Sequence, residues 1–180
     1  SVSFASKIGL SVVVLGLVAV SHGCRRSAGS GETGEDSPPA PVLAQYLGLT
    51  LGSPDGTITI DTILPVTNGC QDDIGIYVAK LAEMYPQTFR VRIYDMRAVD
   101  GKAVLRLNGI KCAAVLVNGT TRFDVGGDAG KLLLEGPMDP LDLYSVLVWL
   151  VAKSDTPDLN LPQPVITCAP DQEQRRKAGF

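Results

Sequence analysis

The middle of the chain carries patterns that predict two strands connected by a helix. Residues 57–64 alternate β-branched side chains with other types, which is the period of a half-buried strand. Apolar residues then recur at three- and four-residue steps over residues 70–85, and Pro86 ends this predicted helix. Alternation returns in residues 89–94, where arginines on the second face indicate an outer strand or a partly covered surface.

A shorter helix, a buried strand, a hairpin and a last helix are predicted after this unit. Residues 100–108 fit the short helix, and residues 111–117 are almost entirely apolar, as in a strand that is buried on both faces. Asn118-Gly119 is a strong hairpin signal, so residues 120–125 are expected to pair back on that strand. The last helix is predicted to begin at Asp139-Pro140, a cap followed by a first-turn proline.

The predicted order of elements is therefore β-α-β-α-β-β-α, which belongs to the α/β class. A strand-helix-strand unit of this length gives two parallel strands with a right-handed crossover. The later hairpin adds antiparallel strands, so the central sheet is mixed. Three helices then cover its two faces.

The first predicted helix begins with residues that suit a helix N-terminus. Thr67 or Asn68 is expected to be the N-cap, and Asp72 and Asp73 lie in the first turn, where the helix dipole favours negative charge. Cys70 lies at the same end of the helix, where the dipole also favours a thiolate. The two neighbouring carboxylates oppose that thiolate.

Residues 1–26 are expected to be a signal peptide or a membrane anchor. Residues 8–20 are apolar throughout and follow a short, weakly positive stretch, as in a secretory signal. Cys24 follows Ser21-His22-Gly23, and this resembles the end of a bacterial lipoprotein signal, in which the cysteine is lipidated. Lipidation of Cys24 and an uncleaved anchor helix are the two alternatives. Either one places the protein at a membrane.

Two segments without a folding pattern flank the predicted domain of residues 41–153. Residues 27–40 contain no large apolar side chain and are expected to be a flexible linker. Residues 154–180 contain several prolines and spaced apolar residues, which predicts an extended tail that is either disordered or docked as a strap on its own domain or on a partner. Cys168 in this tail is expected to have no role, with pairing to Cys24 as the alternative.

Composition and charge exclude several classes of protein. Hydrophobic residues make up 45% of the chain and charged residues 19%, which is enough apolar material for a core. The net charge of −3 argues against a nucleic-acid partner. The single histidine, His22, lies outside the predicted domain, so catalytic pairs and metal sites that need histidine are excluded from it. We therefore expect no metal and no cofactor.

The order of elements, the Asn-Gly hairpin and the position of Cys70 together resemble the thioredoxin/glutaredoxin-like fold. The resemblance covers about residues 57–153 and rests on topology and placement. In that family a Cys-x-x-Cys pair lies between the first strand and its helix, and the matching stretch here is Thr67-Asn68-Gly69-Cys70. Only the second cysteine position is filled, so the resemblance is to a member without the dithiol motif.

The resemblance also implies a partner for Cys70. The family has a cis-proline before its third strand, and the corresponding stretch here is Lys111-Cys112-Ala113-Ala114, which contains no proline. By the family's geometry, Cys112 faces the start of the helix that carries Cys70. The two thiols are then a redox pair, a structural disulfide, or two buried free thiols that act as small apolar residues.

Two functions follow from these expectations. The first is a non-catalytic accessory protein, tethered to a membrane on the extracytoplasmic (periplasmic) side, that docks on integral membrane protein subunits. The absent Cys-x-x-Cys motif, the absent cis-proline and the two ends suited to attachment favour it. The alternative is a thiol-disulfide redox protein that uses Cys70 and Cys112.

Overall fold

A mixed sheet of four strands forms the centre of the structure. The computed structural model describes residues 42–66, 69, 71–127 and 129–167. The strands are β1 (Thr50–Gly52), β2 (Ile58–Leu64), β3 (Phe89–Asp95) and β4 (Ala114–Val117). Their spatial order is β1-β3-β2-β4. β2 and β3 are parallel, whereas β1 is antiparallel to β3 and β4 is antiparallel to β2.

The helices connect and follow these strands. Helix α1 (Asp72–Met84) connects β2 to β3, and α2 (Val99–Leu107) connects β3 to β4. A separate two-stranded ribbon of β5 (Arg122–Gly126) and β6 (Gly130–Leu133) precedes the last helix, α3 (Pro140–Val151), and a 3-10 helix (Val42–Tyr46) precedes β1. The described part of the chain is therefore a mixed α/β fold, as the alternating patterns predict.

The helices lie on both faces of the sheet. The larger core combines the buried residues of α1 and α3 with Ile60 and Leu64 of β2. Ile63 points to the other face, where it packs with Leu105 of α2 and with Leu116. Successive side chains of a strand alternate between faces, so the run of apolar residues in β2 supplies both cores.

The hairpin after β4 differs from the predicted one. Asn118 and Gly119 have positive φ angles of 52° and 79°, so the predicted tight turn is present. Only Val117 and Thr120 pair across it, as an isolated bridge. The prediction that residues 120–125 pair back on the preceding strand is therefore wrong beyond the first pair.

The edge of β4 that does not face β2 is hydrogen-bonded to the segment around Leu134, not to residues 120–125. The amide N–H of Val115 donates to the carbonyl oxygen of Leu134 at 3.0 Å, and the Leu134 side chain is fully buried. Strand β5, which pairs with β6 instead, carries the exposed charges of Arg122 and Asp124.

The charged second face of β3 belongs to an inner strand. The alternative of an outer strand is wrong because β3 lies between β1 and β2. The surface is only partly covered, and there Arg92 forms a bidentate pair with its cross-strand neighbour Asp61, with N–O distances of 2.7 and 2.8 Å. Each of these two charged side chains therefore has a hydrogen-bonded partner of opposite charge on this face of the sheet.

The helix caps are partly as predicted. Asp139 caps α3, since its side chain accepts a hydrogen bond from the Leu141 N–H at 2.9 Å. For α1 the N-cap is Gln71, which makes no side-chain capping bond. The prediction of Thr67 or Asn68 as the cap is therefore wrong by at least three positions.

Several predictions concern residues outside the described ranges. The signal or anchor of residues 1–26, its lipidation site Cys24, the linker of residues 27–40, and Cys70 and Cys168 all lie there. Within the ranges that are described, no helix has the length and apolar character that crossing a bilayer requires.

Thr62 provides a test of the larger core. Its side chain is fully buried in β2, and its hydroxyl has no hydrogen-bond partner among the described residues. A buried hydroxyl without a partner costs ~1–3 kcal/mol. We expect Thr62→Val, which keeps the shape of the side chain, to raise the free energy of unfolding in urea by about 1 kcal/mol.

Thr59→Val is the matched control for this substitution. Thr59 is half-exposed in the same strand, and its hydroxyl lies 3.3 Å from Asn118 Oδ1. Its loss is expected to leave stability unchanged or to reduce it slightly. If Thr62→Val also reduced stability, the hydroxyl would have a partner in the folded protein.

Candidate site at the N-terminal end of α1

The segment that carries Cys112 lies at the end of the sheet where α1 begins. β4 is antiparallel to β2, and Ala114 is paired with Ile63, one residue before the end of β2. The chain leaves β2 at this end to enter α1, and it enters β4 here from Cys112. The sequence predicts that Cys70 and Cys112 share this end, but Cys70 lies outside the described ranges, so no sulfur–sulfur distance follows.

Two hydrogen bonds link the neighbours of the two predicted redox cysteines. Gln71, which follows Cys70, donates from Nε2 to the carbonyl oxygen of Gly136 at 3.2 Å. The Gly136 N–H in turn donates to the carbonyl oxygen of Ala113, which follows Cys112, at 2.8 Å. The start of α1 and the segment before β4 are therefore held together through one intervening residue.

Cys112 is the one cysteine within the described part of the chain. Its side chain is half-buried and the thiol is free. The exposed part of the side chain is accessible to a small reagent. A free half-buried thiol is compatible with both the redox and the packing interpretation of this residue.

The first turn of α1 contains two buried carboxylates, Asp72 and Asp73. Asp73 accepts two hydrogen bonds from Thr167: the backbone N–H lies 2.7 Å from Oδ2, and the hydroxyl lies 2.7 Å from Oδ1. Bonds to an ionised carboxylate are about twice as strong as bonds between neutral groups. Asp73 therefore binds the C-terminal segment at the very end of the helix.

Residues 159–167, which we call the C-terminal strap, lie along α1 in the opposite direction to the helix. The Tyr85 hydroxyl donates to the carbonyl oxygen of Asn160 at 2.9 Å, and the Tyr77 hydroxyl donates to that of Pro162 at 3.0 Å. Thr167 then reaches Asp73 at the N-terminal end. Of the two predictions for the tail, docking on its own domain describes these residues.

The Tyr77 hydroxyl is suited to hold the strap at any ordinary pH. Burial is the main cause that raises the pKa of Tyr77 far above its usual value, and the nearby hydroxyls of Tyr144 and Tyr85 add to it. The hydroxyl therefore stays protonated and remains a donor. The contact with Pro162 does not depend on an ionisation.

A cavity of about 210 Å³ remains between the strap and α1. Its lining includes Asp73, Ile76, Tyr77 and Lys80 from the helix, and Gln163 and Val165 from the strap. Most of this lining is exposed, so the space is a cleft that opens to solvent. The strap is thus anchored at both of its ends but does not fill the space beneath its middle.

The sequence does not predict that Asp73, Tyr77 and Tyr85 bind the C-terminal strap. The sequence indicates a dipole partner at Asp73 that also opposes a thiolate at Cys70, and it indicates members of an apolar helix face at Tyr77 and Tyr85. A buried tyrosine usually needs a partner for its hydroxyl. That requirement, together with the apolar residues Leu159 and Leu161 in the tail, is the signal that could have predicted the docking.

The described residues contain no group of three or more potential metal ligands.

A double-mutant cycle tests the Asp73–Thr167 contact. We expect Asp73→Ala to reduce the free energy of unfolding by about 2 kcal/mol, because it removes two charge-assisted bonds and a favourable dipole interaction. Thr167→Val should cost less, since the backbone N–H bond remains. In the double variant the two losses should fall short of additivity by about 1 kcal/mol in urea titrations. Strict additivity would mean that the hydroxyl does not bind Asp73 in solution.

The comparisons with known proteins add no relative. No family model, no curated protein and no solved structure matches this chain. What the site can do is therefore inferred from its own groups: a half-buried thiol, two buried carboxylates and a docked strap.

Proposed function

We propose that this chain is a membrane-tethered accessory protein with a thioredoxin-like domain that acts as a non-catalytic docking subunit. Its partners are integral membrane proteins, and it works on the extracytoplasmic side. The observation that carries this proposal is the occupation of the N-terminal end of α1 by the protein's own Thr167, bound to Asp73. In the family that the chain resembles, this is the end of the helix that presents the reactive sulfur.

The arrangement of elements supports the thioredoxin-like part of the proposal. The parallel β2–α1–β3 unit, the antiparallel β4, and the placement of α1 and α3 opposite α2 match the topology that the resemblance implies. The ribbon of β5 and β6 departs from it, because it forms a separate sheet and does not extend the central one.

The electrostatics of the site support a non-catalytic role. The partial positive charge at a helix N-terminus, about half an elementary charge, stabilises a nearby anion. Here two buried carboxylates already occupy the first turn. Cys70 precedes them in the sequence by only two and three positions, so a thiolate there would add a further negative charge near theirs, at a cost in free energy.

The tether is supported by the sequence. The apolar residues 8–20, the lipoprotein-like Cys24 and the polar linker 27–40 provide attachment and reach. A linker of this composition spans on the order of 20 Å, so the domain can contact a membrane protein beside its own anchor.

Membrane fractionation and purification in mild detergent test the docking role. We expect the full chain to remain with the membrane and to elute in a complex of constant stoichiometry with integral membrane subunits. Deletion of residues 1–26 should release the protein from the membrane, because the domain then has no tether. A full chain that elutes as a monomer after chemical crosslinking in intact cells would contradict the proposal.

One observation favours the redox alternative enough to keep it. The hydrogen bonds from Gln71 through Gly136 to Ala113 hold the neighbours of Cys70 and Cys112 together. In that mechanism the Cys70 thiolate attacks a partner disulfide and forms a mixed disulfide. Cys112 then displaces the partner, which leaves as a dithiol reduced by two electrons, while Cys70 and Cys112 become a disulfide.

Disulfide exchange with oxidised glutathione separates the two functions. For a docking subunit we expect the initial rate of glutathione release to be the same for the wild type and for Cys70→Ser, with Cys168→Ser as the control for the tail thiol. The reason is that no thiolate is favoured at the start of α1. A rate that falls at least tenfold in both Cys70→Ser and Cys112→Ser, but not in Cys168→Ser, would establish the redox function instead.

A further inference from the structure

The contacts between the C-terminal strap and α1 use mostly the backbone of the strap. Tyr77 and Tyr85 bind carbonyl oxygens, which every polypeptide offers, and one of the two bonds from Thr167 comes from its backbone N–H. Only the Thr167 hydroxyl adds a bond from a strap side chain. Another extended segment could therefore make most of these bonds.

Few side chains of the strap are buried. Leu161 and Pro164 are covered, whereas Val165 is 74% exposed. The cavity of about 210 Å³ lies beneath this middle part. A segment with a larger apolar side chain at the position of Val165 would bury more surface than the strap does, and so would bind more tightly.

The connection between α3 and the strap allows the strap to leave. Residues 152–158 are mostly exposed and include Pro157. Of the strap, Leu161 is buried in the larger core beside α3, with Leu159 partly buried against it, so a single leucine is its main apolar anchor. Short exposed connections of this kind let a terminal segment dissociate while the domain stays folded.

We call the surface of α1 that the strap covers, which includes Asp73, Ile76, Tyr77 and Lys80, the α1 groove. From these observations we propose that the α1 groove is a binding site for an extended, proline-containing segment of a partner protein. The chain's own strap occupies the groove in the free protein and is exchanged for that segment. The inference rests on the docking function proposed above and assigns its surface. The segment resembles the strap: a leucine followed by proline, a second proline two residues later, and a serine or threonine three residues after that.

The positive charge of Lys80 predicts that the partner segment also carries an acidic residue. Lys80 lines the cavity together with Gln163 and is exposed. A carboxylate at the position of Gln163 could pair with its ammonium group. Because the pair is exposed, we expect only a two- to threefold gain in affinity.

The tethered strap is a strong competitor. A short flexible connection gives it an effective concentration in the millimolar range. A free peptide with the same sequence should therefore bind poorly to the wild-type protein, and binding should appear when the strap is released. Leu161→Asp in the full chain releases it, since it removes the buried anchor of the strap and leaves every residue of α1 unchanged.

The test is the fluorescence anisotropy of a labelled peptide with the sequence of residues 157–167. We expect the full chain with Leu161→Asp to bind it at least tenfold more tightly than the wild-type chain. Adding Tyr77→Phe should weaken binding about fivefold, because one hydrogen bond is lost. Tyr94→Phe, on β3 and outside the groove, is the matched control and should have no effect. A peptide with Gln163→Glu should bind two- to threefold more tightly, and Lys80→Met should abolish that gain.

Hydrogen exchange shows whether Leu161→Asp releases the strap and leaves the domain folded. In Leu161→Asp we expect the amides of residues 159–167 to lose protection while those of α1 keep it. If α1 lost protection together with the strap, the strap would be an integral part of the core and the proposal would be wrong. Equal peptide affinity for wild type and Leu161→Asp, with α1 protected, would also overturn it.

The outcomes separate this inference from the docking function. If the membrane complex forms equally well with Tyr77→Phe and Leu161→Asp, docking uses another surface, and the groove proposal fails while the function stands. If the peptide binds as expected but no membrane complex is isolated, the groove stands and the docking function fails.

Discussion

The parallel pairing of β2 with β3 is the constraint on which the rest of the structure depends. Ile58 lies opposite Phe89, and the register continues without interruption to Leu64 opposite Asp95. Parallel strands require a long connection that returns across one face of the sheet. Helix α1 is that connection, so its buried face is fixed against the sheet, and its N-terminus is fixed at the end of β2.

This placement of α1 determines what else can lie near it. The antiparallel β4 beside β2 brings the Cys112 segment to the same end of the sheet. The edge of α1 that the sheet does not cover presents the two tyrosine hydroxyls and the carboxylate of Asp73. Polar groups that are mostly buried need partners, and the strap supplies them over nearly the whole length of the helix.

The fold was largely predictable because its elements follow local patterns. The apolar stripe of α1, the alternation in β3 and the cap at Asp139 are each decided by a few neighbouring residues, and the structure confirms them. The partner of β4 was not predictable in this way. Both residues 120–125 and the segment around Leu134 follow β4 closely in the chain and contain apolar residues, so no local pattern decides between them.

The strap contact was harder to predict than either of these. Asp73 and Thr167 are separated by 94 positions, and no periodic pattern connects them. A strap held by side chain-to-backbone bonds has almost no sequence signature, since backbone carbonyls are present at every position. The need of the buried Tyr77 hydroxyl for a partner and the apolar Leu159 and Leu161 of the tail are the two signals that something covers α1.

The strap supplies hydrogen-bond donors at the end of α1 where the helix dipole favours negative charge. The helix dipole can stabilise one negative charge well, and Asp73 already provides it in the bound state, with two donors from Thr167. Departure of the strap removes those donors and leaves the carboxylate less compensated. An exchange of the strap therefore suits the binding of another polypeptide, which can offer Asp73 replacement N–H or O–H donors.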